Sequence, residues 1–289
     1  MIRDRYIDCI THCSSDAHLL IGEIKTAVFD CGMAFCAQET IRMVQEALSG
    51  RQLDYVFMTH THYDHIGALP FFRRQWPDVY AVTSEIGAGV LLKDTPRRVI
   101  RELSLVAASL HGVFASDIAY DDEALRADMV VREGDAIDLG GFTVRVLETP
   151  GHTRDALCYF ITEPALLIAN ETPGVLMPDG VLYPCYLTGF HDTINSIKKL
   201  GGVPYKHLSL PHKGLVGQDI MDGYFRNALE VNTTCREFIL WMRDKGLNDD
   251  EMMASFYDRY YNEALVEYQP KEAFLANAKA TIACTLREA

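Results

Sequence analysis

The chain has 289 residues and a formal net charge of −13, because 40 acidic side chains outnumber 27 lysines and arginines. Hydrophobic residues make up 48% of it and charged residues 23%, which is the composition of a soluble globular protein with a large core. So acidic a surface disfavours binding to the phosphate backbone of nucleic acids and to anionic membranes. The length allows one large domain or two small ones.

Targeting and redox signals are weak. The sequence holds no uncharged apolar run long enough for a spanning helix, and residues 1–8 lack the apolar stretch of a signal peptide, so we expect a cytoplasmic protein. Eight cysteines without a Cys-x-x-Cys pair are too sparse for a disulfide scaffold, so we expect thiols. They are Cys9, Cys13, Cys31, Cys36, Cys158, Cys185, Cys235 and Cys284.

Short strands and helices alternate at the start of the chain. Apolar runs predict strands at 18–22, 26–30, 54–59 and 79–83, and helical spacing predicts helices at 38–48 and 66–75. This order favours helices packed on a sheet.

A long helix is predicted over 95–114. Val99, Leu103, Val106 and Leu110 recur in it at helical spacing, which favours a stripe that faces the core. Strands are predicted next, at 129–131, 142–146, 157–161 and 165–169.

The character of the chain changes after residue 217. Helices are predicted at 218–245, 249–261 and 270–286, with glycine and proline between them. We therefore expect a core domain at 1–217 and a helical extension at 218–289, which docks on the core or faces a partner.

The most informative stretch runs from Thr59 to Gly67, directly after a predicted strand. His60 and His62 are two residues apart, so in an extended backbone their side chains point the same way. Asp64 and His65 follow at the start of a helix, where they can turn toward a different point. One segment can therefore supply ligands to two metal ions, and imidazole with carboxylate suits zinc, iron or manganese.

The His-x-His-x-Asp-His pattern resembles the signature of the metallo-β-lactamase superfamily of hydrolases. Thr149–Thr153, Leu166–Glu171 and Leu210–Gly214 resemble further family motifs in the same order, and Asp30 matches a common Asp-x-Gly turn. The resemblance covers roughly residues 15–215. It implies an α+β fold, a four-layer αββα sandwich, here with the C-terminal helical extension.

The resemblance also implies two divalent metal ions, zinc first, with iron or manganese as alternatives. It assigns His60, His62 and His152 to the first ion, and Asp64, His65 and His212 to the second. A hydroxide shared by the ions would attack a carbonyl or a phosphorus. Asp64 would be the catalytic residue among the ligands, since it can also orient that hydroxide.

Position 171 departs from the family, because Asn170-Glu171 stands where Gly-Asp is usual. Three alternatives follow: Glu171 bridges both ions, binds one, or is not a ligand. If the backbone at 170 must adopt a positive φ, asparagine reaches it at a higher cost than glycine. The change also leaves the identity of the metal open.

No motif for a serine nucleophile, a P-loop or a dinucleotide fingerprint is present. The flavodiiron branch typically has glutamate where His62 stands, which disfavours it. The helical extension resembles that of glyoxalase II-like and quinolone-signal thioesterases, so we expect a hydrolase, a thioesterase or esterase of small molecules. A lactonase or phosphodiesterase is the alternative, and a metal-binding sensor or interaction protein that has lost efficient hydrolysis is the alternative of another class.

Four residues are candidate substrate contacts, each with a structural alternative. Tyr63 could pack beside the metal, Tyr186 could pack under the C-terminal helices, and Lys213 could be solvated. His191 could precede a helix capped by Asp192. The helix at 95–114 lies where family members place a substrate cap or a dimer contact, which is the alternative to packing against the core. The sequence predicts neither a nucleic acid nor a membrane as partner, and leaves a homodimer open.

Overall fold

The structure, a computed structural model, describes residues 5–11, 16–262, 265 and 269–289. Its strands are β1 (Tyr6–Ile10), β2 (Asp16–Ile21), β3 (Thr26–Phe29), β4 (Tyr55–Phe57), β5 (Tyr80–Ser84), β6 (Met129–Val131), β7 (Ala136–Asp138), β8 (Thr143–Glu148), β9 (Leu157–Ile161), β10 (Leu166–Ile168), β11 (Val175–Leu176), β12 (Leu182–Tyr183), β13 (His207–Leu210) and β14 (Gly214–Leu215). Its helices are α1 (Ala37–Leu48), α2 (Tyr63–Ile66), α3 (Leu69–Gln75), α4 (Glu85–Leu91), α5 (Asp94–Leu110), α6 (Phe190–Gly201), α7 (Gln218–Met221), α8 (Tyr224–Asp244), α9 (Asp249–Tyr260) and α10 (Lys271–Arg287).

The chain forms two compact units that interleave in sequence. The first unit comprises the described residues of Met1–Glu148 with Asp155–Asn170 and Tyr205–Val216. The second comprises Thr149–Arg154, Glu171–Pro204 and the described residues of Gly217–Ala289. The predicted boundary after residue 217 stays a prediction.

The first unit contains two six-stranded sheets. One has the order β1-β2-β3-β4-β5-β6, and β3 to β6 in it are parallel. Phe29 in β3 pairs with Phe57 in β4, so the chain leaves both strands at the same edge of the sheet. This register brings Asp30, which follows β3, next to the metal motif that follows β4.

The other sheet has the order β14-β13-β10-β9-β8-β7. β10 and β13 are parallel, so Asn170 and His212, which follow them, lie beyond the same sheet edge. A buried aromatic cluster packs between the two sheets, where Tyr159 lies 5.2 Å from Phe29 and 5.3 Å from Phe57 between ring centroids. The Tyr159 hydroxyl donates to the Met58 carbonyl at 2.6 Å, which fixes the end of β4.

The outer face of the first sheet is covered by helices. Val44 and Leu48 of α1 and Phe72 of α3 are buried against strand residues such as Val56. The first unit therefore has the order helices, sheet, sheet.

The second unit buries a core of its own. Phe256 of α9, Phe274 of α10 and Ile239 of α8 are almost fully buried together. Tyr186 is completely buried there, and its hydroxyl lies 2.9 Å from Oγ1 of Thr285. The helices predicted after residue 217 thus pack with one another and with the segment around Tyr186.

The prediction that the apolar stripe of the long helix faces the core was wrong. Val106 is 57% exposed and Leu110 61%, and the helix ends at Leu110 rather than at 114. The buried face instead carries small side chains, including Ser104 and Ala108. Helical spacing identifies an apolar face but not what covers it, and small residues gave no signal for the face that packs closely.

The predicted helix at 218–245 is interrupted. α7 ends at Met221 and α8 begins at Tyr224, because Gly223 has a φ of 82°, in the left-handed region that favours glycine. The strands β1, β7, β11, β12 and β14 and the helix α4 were not predicted. In α4, Gly87 and Gly89 lower the helix propensity.

Two further predictions concern the cysteines and membrane-spanning helices. None of the seven described cysteines forms a disulfide, and all are buried, while Cys13 lies outside the described residues. Among the described helices none is long and apolar enough to cross a bilayer.

Candidate metal centre

The segment after β4 has the geometry that its spacing predicts. His62 keeps an extended backbone, with φ −78° and ψ 151°, and α2 begins at Tyr63. Nε2 of His60 lies 3.1 Å from Nδ1 of His62, so the two rings converge. Two nitrogens that bind one tetrahedral zinc ion at about 2.05 Å lie roughly 3.3 Å apart. The pair therefore fits a shared metal ion.

The other nitrogen of His60 is fixed by Thr59. The Thr59 hydroxyl donates to Oδ2 of Asp30 at 2.7 Å, so its oxygen accepts from Nδ1 of His60 at 3.0 Å. Nε2 of His60 then carries the lone pair, which is the form that binds a metal ion. The buried Asp30 carboxylate thus sets the tautomer of His60 through one hydroxyl.

Asp30 also orients His65. Nδ1 of His65 lies 2.8 Å from Oδ2 of Asp30, and both side chains are buried. Asp30 accepts the Thr59 backbone N–H at 2.8 Å as well, and its φ of 56° is left-handed. The sequence identified this residue only as part of a turn, whereas its carboxylate holds two candidate ligands.

The first unit brings together a second group of candidate ligands. Asp64, His65 and His212 offer ligand atoms that all lie within 4.8 Å of one another. The rings of His65 and His212 are 5.2 Å apart between centroids. Asp16 accepts the backbone N–H of His212 at 2.8 Å and was not predicted. These donors, two imidazoles and a carboxylate, suit a divalent cation.

The second unit pairs the remaining two candidate ligands. Nε2 of His152 lies 2.8 Å from Oε2 of Glu171, and both side chains are buried. Nδ1 of His152 donates to the Cys185 carbonyl at 2.8 Å, so Nε2 is the nitrogen that faces the carboxylate. Burial lowers the pKa of His152, but Cys185 and Glu171 raise it, and the net shift is well upward. The pair is therefore arranged for a cation, either a proton or a metal ion.

The loop that carries His152 is held from two sides. Thr172, next to Glu171, donates its hydroxyl to the Thr149 carbonyl at 2.7 Å. Gly151 has a φ of 145°, and a Cβ there would lie 2.1 Å from Oγ1 of Thr193. Only glycine allows this approach of the loop to α6.

Asn170 does not have a positive φ, so the backbone cost expected at this position does not arise. Its side chain is fully buried and donates to the Leu157 carbonyl at 3.1 Å, while its N–H contacts Sγ of Cys158 at 3.2 Å. Asn170 therefore ties the end of β10 to β9, a role that glycine could not fill with a side chain.

The candidate substrate contacts differ in exposure. Tyr63 and Lys213 are partly buried next to candidate ligands. Tyr186 is completely buried, which supports its packing alternative. His191 is exposed, with Nδ1 2.8 Å from Oε2 of Glu288. α6 begins at Phe190 with Gly189 as its N-cap, so the expected cap role of Asp192 was wrong.

The family described as the metallo-beta-lactamase superfamily matches residues 10–174, more than half of the chain. A metallo-beta-lactamase fold-containing protein, ST1585 of Sulfurisphaera tokodaii, is 24% identical over 216 residues, which cover 73% of this chain and 77% of that protein. The crystal structure of ST1585 has a TM-score of 0.56 at 22% identity, covering 73% of this chain and 79% of the other.

Two relatives with named activities match shorter parts. A coenzyme F420H(2) oxidase of Methanothermobacter marburgensis is 27% identical over 163 residues, 55% of this chain and 34% of the oxidase. A hydroxyacylglutathione hydrolase of Rhodopseudomonas palustris is 27% identical over 126 residues, 44% of this chain and 36% of the hydrolase. The family match and the structural similarity confirm the expected fold, and the chain belongs to the metallo-β-lactamase superfamily.

Proposed function

We propose that this protein is a hydrolase that uses two divalent metal ions and acts on small ester or thioester substrates. The observation that carries the proposal is that each unit brings candidate ligands together: the first unit holds the His60–His62 pair and the group of Asp64, His65 and His212, and the second unit holds the His152–Glu171 pair. These three clusters are buried or half-buried, where hydrophobic side chains would pack better than imidazoles and carboxylates. Packing alone therefore does not explain them.

The proposed ligands are those implied by the family. His60, His62 and His152 would hold one ion, Asp64, His65 and His212 the other, and Glu171 would be shared. Support comes from the atoms behind the ligands, because imidazoles that bind metal usually donate their other N–H to an oxygen. His60 contacts Thr59, His65 contacts Asp30, and His152 contacts the Cys185 carbonyl in this way.

Metal ions bound there would lower the pKa of a shared water to about 7 and polarise a substrate carbonyl. The protein's own side chains would orient the attacking water and the substrate. Asp64, half-buried at the start of α2, places a carboxylate that can accept a hydrogen bond from the attacking water. Tyr63 and Lys213, beside ligands, would offer a hydroxyl and an ammonium to substrate oxygens.

Three of the described thiols, those of Cys9, Cys31 and Cys235, are poor candidates for a nucleophile. Burial raises the pKa of Cys9 and of Cys235 to about 12, and that of Cys31 well above its ordinary value. A thiol with such a pKa stays protonated at neutral pH and attacks poorly. This supports hydrolysis by activated water rather than through an acyl-enzyme.

The ester and thioester class rests on the motif order, the helical extension and the partial similarity to hydroxyacylglutathione hydrolase. The similarity to the F420H(2) oxidase covers only 34% of that protein, so it does not favour an oxidase activity here. Zinc is the proposed metal, with iron or manganese as the competitors.

Metal analysis and turnover together test the proposal. The purified protein should hold about two equivalents of divalent metal and hydrolyse at least one substrate in a panel of esters, thioesters, lactones and phosphodiesters. His60→Ala should lose both metal and turnover, whereas Glu230→Ala, exposed on α8, should keep both. Full metal loading without turnover would instead favour a sensor, and a protein that binds no divalent ion would overturn the proposal.

A further inference from the structure

A row of three charged side chains lies beneath the turn that carries His212, and two of them, His18 and Asp16, are buried while Asp8 is partly exposed. His18 of β2 is 4% exposed and lies between two carboxylates. Its Nδ1 is 2.8 Å from Oδ1 of Asp8, and its Nε2 is 2.8 Å from Oδ2 of Asp16. None of these three residues was identified as functional from the sequence, and all belong to the first unit.

Each carboxylate also holds one end of the turn between β13 and β14. Oδ2 of Asp16 accepts the backbone N–H of His212 at 2.8 Å, and Oδ2 of Asp8 accepts that of Leu215 at 2.9 Å. Asp16 additionally places Oδ1 3.4 Å from Nδ1 of the His212 ring. This is an ion-pair distance, and it places the Asp16 carboxylate beside the Nδ1 edge of the ring.

The turn itself is one that needs such support. His212 has a φ of 61°, which a residue with a Cβ adopts at a cost. Gly214 has a φ of 69°, and a Cβ there would lie 2.4 Å from Cγ of Asp8, so this carboxylate packs directly on the turn backbone. The geometry of His212 therefore depends on where Asp8 and Asp16 lie.

His18 fixes the positions of both carboxylates. Each of its ring nitrogens faces a carboxylate oxygen, so both nitrogens must donate for the two contacts to be favourable. Burial lowers the pKa of His18, but its bonds to Asp16 and Asp8 raise the pKa to about 10. The Tyr6 ring stacks on it at 6.1 Å between centroids, and the Tyr6 hydroxyl donates to Ser209 of β13. The Tyr6 ring thereby covers one face of the His18 ring.

We propose that His18 is a positioning residue for His212, which it orients for the second metal ion through Asp8 and Asp16. The inference deepens the proposed function, because it rests on His212 being a ligand. His18 touches neither the ion nor the substrate in this proposal. His18 instead sets how firmly the His212 side chain is held in place. It thereby sets the affinity of the protein for the second ion alone.

The test compares cobalt binding to His18→Gln, Asp8→Asn and the unaltered protein, after metal removal, by absorption spectroscopy and calorimetry. His60→Ala and His212→Ala identify the signals of the first and second ions. We expect His18→Gln to weaken the second ion by about 10- to 100-fold and the first by less than about 2-fold. Asp8→Asn should act in the same direction, although Asp8 contacts Leu215 rather than His212 itself.

Three outcomes would overturn the inference. These are unchanged affinity for the second ion in folded His18→Gln, an equal loss for both ions, and a His18 ring with one proton in the nitrogen-15 spectrum of the unaltered protein at neutral pH. The last measurement applies even if the variants do not fold. If the unaltered protein binds no second ion, the proposed function fails instead, so the two failures are distinguishable.

Discussion

Nε2 of His152 lies 2.8 Å from Oε2 of Glu171, with the opposite ring nitrogen committed to the Cys185 carbonyl. The glutamate at position 171 is one methylene longer than the aspartate usual in the family, yet its carboxylate reaches hydrogen-bond distance of the histidine. The residues on either side of Glu171 are fixed by hydrogen bonds: Thr172 donates to the Thr149 carbonyl, and Asn170 donates to the Leu157 carbonyl. The longer side chain is thus accommodated within a tightly held segment.

Replacing Glu171 tests whether this carboxylate is a ligand. Glu171→Gln keeps the size but removes the charge, so metal affinity should fall by at least about 10-fold, as measured by chelator competition. Glu230→Gln on the exposed face of α8 is the matched control and should bind metal normally. If Glu171→Ala leaves metal content and turnover unchanged, Glu171 is not a ligand.

Asp30→Asn tests the residue behind two of the ligands. Asparagine tolerates the φ of 56°, so the backbone is matched, but an amide has only one oxygen. Its NH2 group would face either the Thr59 backbone N–H at the position of Oδ1 or the Thr59 hydroxyl and His65 at the position of Oδ2. We expect a loss of about 1–3 kcal/mol in unfolding free energy without metal and about 10- to 100-fold in metal affinity. Denaturant unfolding and metal titration measure the two effects, and an unchanged metal affinity would contradict the orienting role of Asp30.

The spacing of His60, His62, Asp64 and His65 could be interpreted from the sequence because their geometry is local: an extended segment followed by one helical turn. Residues that orient ligands could not be found in that way. Asp16 meets His212 across 196 residues of chain, through strand pairing that no local pattern encodes. The same limit hid β1 and β7, whose short sequences carry little periodicity of their own.

Gly151→Ala tests the loop that carries His152. The new Cβ would meet Thr193 at 2.1 Å, and the φ of 145° is one that alanine rarely adopts, so the variant should lose at least about 2 kcal/mol in unfolding free energy. Gly89→Ala within α4 is the control, because no atom lies within 4 Å of its Cβ position; it should gain about 0.5–1 kcal/mol. Thermal and denaturant unfolding would measure both changes in unfolding free energy. If Gly151→Ala leaves the unfolding free energy unchanged, the loop can move away from Thr193 without cost.

The stability of the metal-free protein should depend on pH through His18. Its pKa is raised from 6.5 to about 10 in the folded state, so its contribution is complete below about pH 6.5 and is lost as the pH rises toward 10. Burial raises the pKa of Asp8, but His18 and Leu215 lower it on balance, so that contribution is lost on the acidic side. Asp8 and Asp16 are the charged groups that face His18, and Tyr6 stacks on it.

Urea unfolding in the presence of a chelator measures this dependence. The difference in unfolding free energy between the unaltered protein and His18→Gln should be largest near pH 6 and should shrink steadily toward pH 10. A difference that grows with pH would show that His18 is neutral in the folded protein.

The apolar stripe on α5 gives the last prediction. Leu103 and Leu110 are 45% and 61% exposed, whereas Ala108 on the opposite face is completely buried. Leu110→Gln should therefore change the unfolding free energy by no more than about 0.5 kcal/mol, while Ala108→Leu should cost about 1–3 kcal/mol through overpacking. Unfolding at several protein concentrations separates two explanations of any larger loss at Leu110. A loss that shrinks as both proteins are diluted would show that a second copy covers the stripe, because dilution removes the same stabilisation from the unaltered protein. A loss independent of concentration would place Leu110 in the core, against the structure.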